Sequence, residues 1–417
     1  MKNQSYSRFL VVWAGQLFSG LGTGMTAFSL GIFVFEKTNS TTSFAWVILS
    51  LFLPSILLAP LGGILADRFD RRLMIVIGDT GSALSVLSLL GCLLSGVLSM
   101  WMIYLGVAIG SSFAALQGPA YKASVSDLLT ESQFAKAGGL MQLAASTRHL
   151  ISPVAAGVLF TISGLKTVLL IDATTFGLAV GAALCIPANV NIKQQRDQHQ
   201  LLKEMKEGWE ILLANRKVTK VILALAIVTF YVGYIQTLFT PMILAITDVK
   251  NLGAIQSVSA LGMLVGSLQI SFVGLKRDVR FQLSIGIGCG GVCLVALGMG
   301  TNLILITTFL FLFFLCLPLI NTSAEVLIRT GISVEKQGRV WGITSLLSQT
   351  GYLVAYLSAG FLSDRIFSPL LSENGLLAAT VGRVIGTGPG RGNAFILMIC
   401  GTGLILTSIR GRKNAFV

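Results

Sequence analysis

Apolar residues come in long unbroken blocks along this chain, each about the twenty residues that a helix needs to cross a bilayer, with short polar or charged breaks between them. The blocks predict twelve helices, at about 9–35, 44–66, 73–94, 101–121, 137–162, 165–186, 221–246, 252–275, 281–299, 303–326, 340–363 and 394–409. A transmembrane β-barrel leaves a different trace, short segments that alternate apolar and polar. The first block carries Gln16, Ser19, Gly20, Gly22, Thr23 and Gly24, small and polar residues that belong against protein or water and not against lipid. The longest polar break sets Leu201, Leu202, Met205, Trp209 and Leu212 on one helical face opposite Lys203, Glu204, Lys206, Glu207 and Glu210, as in a helix lying on a membrane surface. That break divides the chain into an N-terminal bundle of six helices (1–188), a cytoplasmic linker (189–220) and a C-terminal bundle of six (221–417). Internal duplication produces this plan in transporters.

The composition, 54% hydrophobic and 11% charged over 417 residues, does not describe a soluble domain. A formal charge of +13 could suggest nucleic acid, but with the N-terminus inside, 23 of the 30 Lys and Arg fall on the cytoplasmic side, 6 outside, and Arg148 alone within a helix. This positive-inside distribution sets both termini in the cytoplasm and leaves no basic domain for nucleic acid. The block after Arg8 is too long for a cleaved signal and reads as the first span. The six cysteines all lie in apolar blocks, which argues against a disulfide framework or a metal site. The run Gly386–Gly392 lacks the Lys-Ser or Lys-Thr that a phosphate cradle requires and reads as part of an ordered external loop. No catalytic constellation, metal site or cofactor is expected, so any active process on this chain would draw on an ion gradient and not on ATP hydrolysed here.

One charge cluster stands out, Gly62-Gly63-Ile64-Leu65-Ala66-Asp67-Arg68-Phe69-Asp70-Arg71-Arg72. Its glycines permit a close helix approach, and Asp67, at the end of its own helix, is placed to face the N-terminus of another. Gly62, Asp67, Arg68 and the pair Arg71-Arg72 resemble the G-x-L-a-D-r-x-x-r-[KR] signature between the second and third helices of the major facilitator superfamily. The resemblance implies an all-α membrane protein of twelve transmembrane helices in two pseudo-symmetric six-helix bundles, with the cluster as a conformational switch loop. Lys276-Arg277-Asp278-Val279-Arg280 is a worn second copy. Trp13-Ala14-Gly15-Gln16, Glu36-Lys37-Thr38, Asp67 to Arg71, Glu204-Met205-Lys206-Glu207-Gly208 and Gly338-Arg339-Val340 are similar to the macrolide-efflux-like branch, whose members export macrolides, siderophores and peptide products. Ser152-Pro153-Val154-Ala155-Ala156-Gly157 resembles a degenerate Gly-Pro-x-x-Gly-Gly motif of antiporters. The arginine that many relatives carry about nine residues before Pro119-Ala120 is Gly110 here.

Ionisable groups at bilayer depth are costly and face a cavity or a partner, and four stand there: Asp79, Arg148, His149 and Asp172. Neighbours on a helix diverge by about 100°, so at most one of Arg148 and His149 points into a central cavity. His149 or Asp172 would carry a proton, since imidazole changes charge near neutral pH and intramembrane acids recur in proton relays. The alternative is a structural network holding helix 5 against helices 1 and 4. Asp79 reads as a local partner of the signature arginines. A cavity lined by helices 1, 4, 5, 7 and 10 would take in Gln16, Gln117, Arg148, Tyr231, Tyr234, Gln236 and Asn321. The resemblance implies proton-coupled efflux of a bulky, partly hydrophobic small molecule by alternating access, from a monomer in contact with lipid in a bacterial inner or plasma membrane. A nutrient importer, a lysophospholipid flippase and a non-transporting receptor are the alternatives.

Overall fold

The computed structural model describes residues 5–130, 133–187, 209–210, 212–274, 278–332 and 334–413, and every long element among them is helical. α1 (Tyr6–Thr38) starts where Ser5 Oγ accepts from Arg8 N and ends at Asn39, whose φ of 47° turns its N–H back to Phe35 O. α2 (Thr41–Arg68), α3 (Arg71–Leu94) and α4 (Met100–Leu128) follow, with Pro119 inside α4. The stretch Phe134–Ala183 is 50 residues long, but Gly164 adopts φ 70° and ψ −175°, a conformation open to glycine. It therefore supplies two rods, α5 (134–163) and α6 (165–183). α7 (Arg216–Leu244), α8 (Val249–Val273), α9 (Val279–Met299), α10 (Leu303–Gly331), α11 (Val334–Leu362) and α12 (Arg391–Lys413) complete the series. A π-helical turn, Ser363–Phe367, prolongs α11.

Among the described residues ten helical stretches are long and apolar enough to cross a membrane, Lys136–Ala183 being counted once. The molecule is an all-α integral membrane protein. Several helices outrun the apolar blocks that predicted them, as α4 does from Tyr121 to Leu128, because polar residues continue a helix once it emerges from the apolar layer. The amphipathic linker helix falls mostly outside the described residues; Trp209 is exposed and Leu212 buried.

Contacts divide the chain into two compact units. Unit 1 comprises the described parts of Met1–Asn39, Trp46–Gln195 and Val249–Ser257, and unit 2 those of Ser40–Ala45, Arg196–Asp248 and Val258–Val417. In unit 1 small residues let α1 sink against α5 and α6: a Cβ on Gly15 would stand 2.7 Å from Ala182 Cβ, and one on Gly24 2.5 Å from Ser152 Oγ. In unit 2 Gly291 of α9 and Gly401 of α12 face each other so closely that a Cβ on either would lie 2.6 Å from the other's carbonyl oxygen. Close backbone approach of this kind replaces the hydrophobic drive that lipid does not supply. Aspartates cap the starts of both α3 and α9: Asp70 Oδ1 accepts from Arg72 N at 2.8 Å, and Asp278 Oδ1 accepts from Phe281 N at 3.0 Å.

The first turn of α2 belongs to unit 2 and is capped from far along the chain. The Asp364 carboxylate accepts from Thr41 N at 3.1 Å, Thr42 N at 2.8 Å and Ser40 Oγ at 2.7 Å, which places a negative charge on the positive end of the helix. Gly360, a turn earlier on α11, lets the backbones meet, since its Cβ would stand 2.6 Å from Thr42 Cα. Between Asp364 and α12 the chain is pinned by the buried Arg391, whose Nη1 donates to Ile385 O at 3.1 Å and Gly300 O at 3.2 Å.

Candidate translocation site

Asp79 on α3 is 4% exposed, and a carboxylate so placed needs partners. Its Oδ2 accepts from Gln16 Nε2 of α1 at 2.8 Å, and Gln16 Oε1 accepts from Gln117 Nε2 of α4 at 2.7 Å. Gly78 lets α4 in, because a Cβ there would stand 2.4 Å from Gln117 Cβ. The expectation that Asp79 partners the signature arginines is therefore corrected. Arg71 and Asp79 lie about two turns apart on one helix, roughly 12 Å, and Arg71 Nη1 instead donates to Asp127 Oδ1 at 2.9 Å and Ala123 O at 2.8 Å on α4. Of the other switch-loop residues, Gly62 is buried where its Cβ would stand 2.6 Å from Ala115 O, and Arg68 is exposed. Arg72 is partly buried, and its backbone N–H bonds Asp70. The Asp67 side chain lies outside the described residues.

Asp172 on α6 is 1% exposed, and neither carboxylate oxygen has a hydrogen-bond partner. Thr23 and Thr26 of α1, Thr175 of α6 and Arg148 of α5 face it, and Thr26 Oγ1 is likewise buried and unpartnered. Gly22 leaves the room, since its Cβ would stand 2.7 Å from Asp172 Oδ1. Arg148 is partly buried and its stem passes Gly24, whereas His149 is exposed, on a stripe with Gln142 and Ala145. The two neighbours diverge as helix geometry requires, and it is the arginine that turns toward Asp172. One turn on, the antiporter-like stretch receives the start of α8: a Cβ on Gly253 would stand 2.3 Å from Pro153 O, and one on Gly157 2.9 Å from Val249 O.

Unit 2 presents aromatic side chains instead. Tyr234 of α7 shares a hydrogen with Ser358 Oγ of α11 at 2.8 Å, Tyr356 of α11 donates to Gln236 Oε1, and Tyr352 stacks on Tyr356 with ring centroids 6.0 Å apart. Tyr231 leans instead toward α12, where Gly403 gives its hydroxyl room. Gln236 is exposed apart from its bond to Tyr356, and Asn321 lies on the exposed stripe of α10 that carries the 2.6 Å pair Arg329–Glu325.

The structure thus joins Gln16 to Gln117 and turns Arg148 to Asp172, while His149 and Asn321 stand apart. Sequence reasoning missed Asp79, Tyr352 and Tyr356 as members of these groups. Asp79 had a signal, being the one ionisable residue between Leu73 and Met100; the two tyrosines had another, since a spacing of four puts both on one helical face. Among the described residues no group of three His, Cys, Asp or Glu could hold a metal ion.

Residues 12–356 match the Major Facilitator Superfamily. The chain belongs to that family. It is a transporter and not an enzyme, and macrolide efflux proteins are among its sequence relatives. Macrolide efflux protein A of Streptococcus pyogenes is 26% identical over 383 residues, covering 86% of this chain and 90% of the relative. Multidrug resistance protein 2 of Bacillus subtilis is 24% identical over 376 residues, covering 87% and 90%. A crystal structure of the nucleoside transporter NupG superposes with a TM-score of 0.74 at 14% identity over 97% of this chain and 98% of that one, a likeness of fold alone.

Proposed function

We propose that this transporter exports a bulky, partly hydrophobic small molecule, of the macrolide or multidrug class for which two relatives are named, in exchange for protons. The observation that carries the reading is Asp172, buried and unpartnered opposite Arg148. A carboxylate at bilayer depth is retained at a cost of about 2.5–3.5 kcal/mol on insertion scales, and a site without hydrogen bonds holds it where gaining or losing one proton changes the field at Arg148. In unit 2 the half-buried Tyr231 and Tyr352 offer flat apolar rings to an amphipathic ligand, with the buried Tyr234 and Tyr356 behind them. No bound cofactor enters the scheme; the proton gradient is the energy source, the signature loop is the switch, and a monomer with both termini in the cytoplasm suffices.

Everted membrane vesicles test this with a pH-sensitive dye and the macrolide erythromycin. An exporter releases protons from the acidified lumen when the drug is added, and Asp172→Asn, expressed to the same level, abolishes that release. Drug-driven acidification would mean co-transport in the opposite sense, and an unchanged signal in Asp172→Asn would remove Asp172 from coupling.

A further inference from the structure

Asp79, Gln16 and Gln117 form a directional chain across three helices of unit 1, and its direction is dictated by the charge on Asp79. An ionised carboxylate only accepts. Gln16 must therefore present its NH2 to Asp79, which leaves Gln16 Oε1 to receive the NH2 of Gln117, the arrangement observed at 2.8 and 2.7 Å. Once Asp79 binds a proton on Oδ2, the oxygen that meets Gln16, that O–H has to donate, and in a pocket 4% exposed a donor without an acceptor is costly. The acceptor on the group already bonded to that oxygen is Gln16 Oε1. Turning it toward Asp79 swings Gln16 Nε2 toward Gln117, which must in turn offer Oε1. One proton reverses both amides.

Gln117 is well placed to make that reversal felt. It precedes Gly118-Pro119 in α4, where the proline removes the backbone N–H that would bond Ala115 O and weakens the helix. That carbonyl is the one on which Gly62 of the signature loop closes. Among the described residues Gln16 is the side chain that hydrogen-bonds Asp79, Arg71 of α3 is paired with Asp127 of α4, and Arg148 of α5 faces Asp172 of α6.

We infer that Asp79 is a second proton site of this transporter and that Gln16 and Gln117 relay its protonation, as a reversal of amide direction, to the proline-weakened turn of α4 on which Gly62 of the signature loop closes. The proton comes from bulk water, forms an O–H bond on the carboxylate and returns to bulk water. The inference deepens the proposed function and rests on it only for the claim that the site serves transport.

The full chain reconstituted in lipid is compared by pH-difference infrared spectroscopy and, in vesicles, by erythromycin transport as a function of pH. Asp79→Asn should lose one carboxylic-acid band together with the glutamine amide bands that move with it. Gln117→Leu should keep the acid band and lose the coupled amide shift of its own side chain. The pH response of transport, about tenfold per unit of pH while one site titrates, should become shallower in both, with Gln16→Leu alike and Gln16→Glu not rescuing it. Identical difference spectra for wild type and Asp79→Asn overturn the inference, as does an unaltered pH response in Gln117→Leu. If the bands behave as expected but no variant, nor the wild type, moves protons with drug, the amide relay stands and the exporter reading falls.

Discussion

Unit 1 keeps Asp79, Arg148 and Asp172 among its helices, whereas the described helices of unit 2 turn Tyr234, Tyr352 and Tyr356 inward. Both interiors are polar, but in different ways. In unit 2 two of these hydroxyls have a neutral partner, Ser358 for Tyr234 and Gln236 for Tyr356, so the group is satisfied whatever the pH. In unit 1 one carboxylate is held by a glutamine that can point either way, and another faces Arg148 with no hydrogen bond to either oxygen. A satisfied neutral network specifies a shape, and an unsatisfied ionisable one stores a choice between two charge states. Under the proposed function, proton handling falls to unit 1 and ligand shape to unit 2.

Asp172→Asn breaks this comparison most directly and should have the largest effect: gradient-driven export falls by about tenfold or more, the ratio sustained by one unit of pH, while passive exchange of labelled drug across vesicles continues. Loss of both would make Asp172 structural. Gly62→Ala should cost about 1–3 kcal/mol through overpacking, because its Cβ would meet the Ala115 carbonyl, part of a backbone that cannot swing aside; thermal unfolding in detergent reads this directly. Tyr356→Phe deletes the hydroxyl that donates to Gln236 and should alter KM for bulky drugs by roughly two- to tenfold, the range of about 0.5–1.5 kcal/mol for one hydrogen bond. Its pH profile should match wild type; a displaced profile would end the division between the units. Gly63→Ala, with nothing within 4 Å of the added Cβ, should shift stability by no more than about 0.5 kcal/mol, so that a large change there would mean a tighter surrounding than the described one.

The helices and their order were legible because lipid imposes them: an apolar block of sufficient length has few other fates. The turn at Gly164 was legible as a boundary between blocks, although the chain passes through it without a loop. Side-chain pairing was not. Asp79 and Gln16 are 63 positions apart, and no periodicity within one helix reports which neighbour it will meet. Arg148 and His149 were separable only as alternatives, since the 100° between them was known and the rotation of α5 was not. The sequence Gly360-Phe361-Leu362-Ser363-Asp364-Arg365 shares glycine, leucine, aspartate and arginine in register with Gly63-Ile64-Leu65-Ala66-Asp67-Arg68. That echo lay in the sequence unread, because the second copy was sought at Lys276–Arg280; in the structure Asp364 occupies a helix N-terminus.

The cap that Asp364 places on α2 also bears on how the protein is made. The two partners are separated by 323 positions, and at ~5–20 residues per second a ribosome needs roughly 16–65 s to span that distance. Throughout that interval α2 is synthesised while the backbone N–H groups of Thr41 and Thr42 lack the carboxylate that will receive them. The first hairpin of the chain therefore waits, incompletely bonded, for nearly the last helix to emerge. A chain truncated before Asp364 should be recognised by membrane proteases through the N-terminal end of α2, far from the cut.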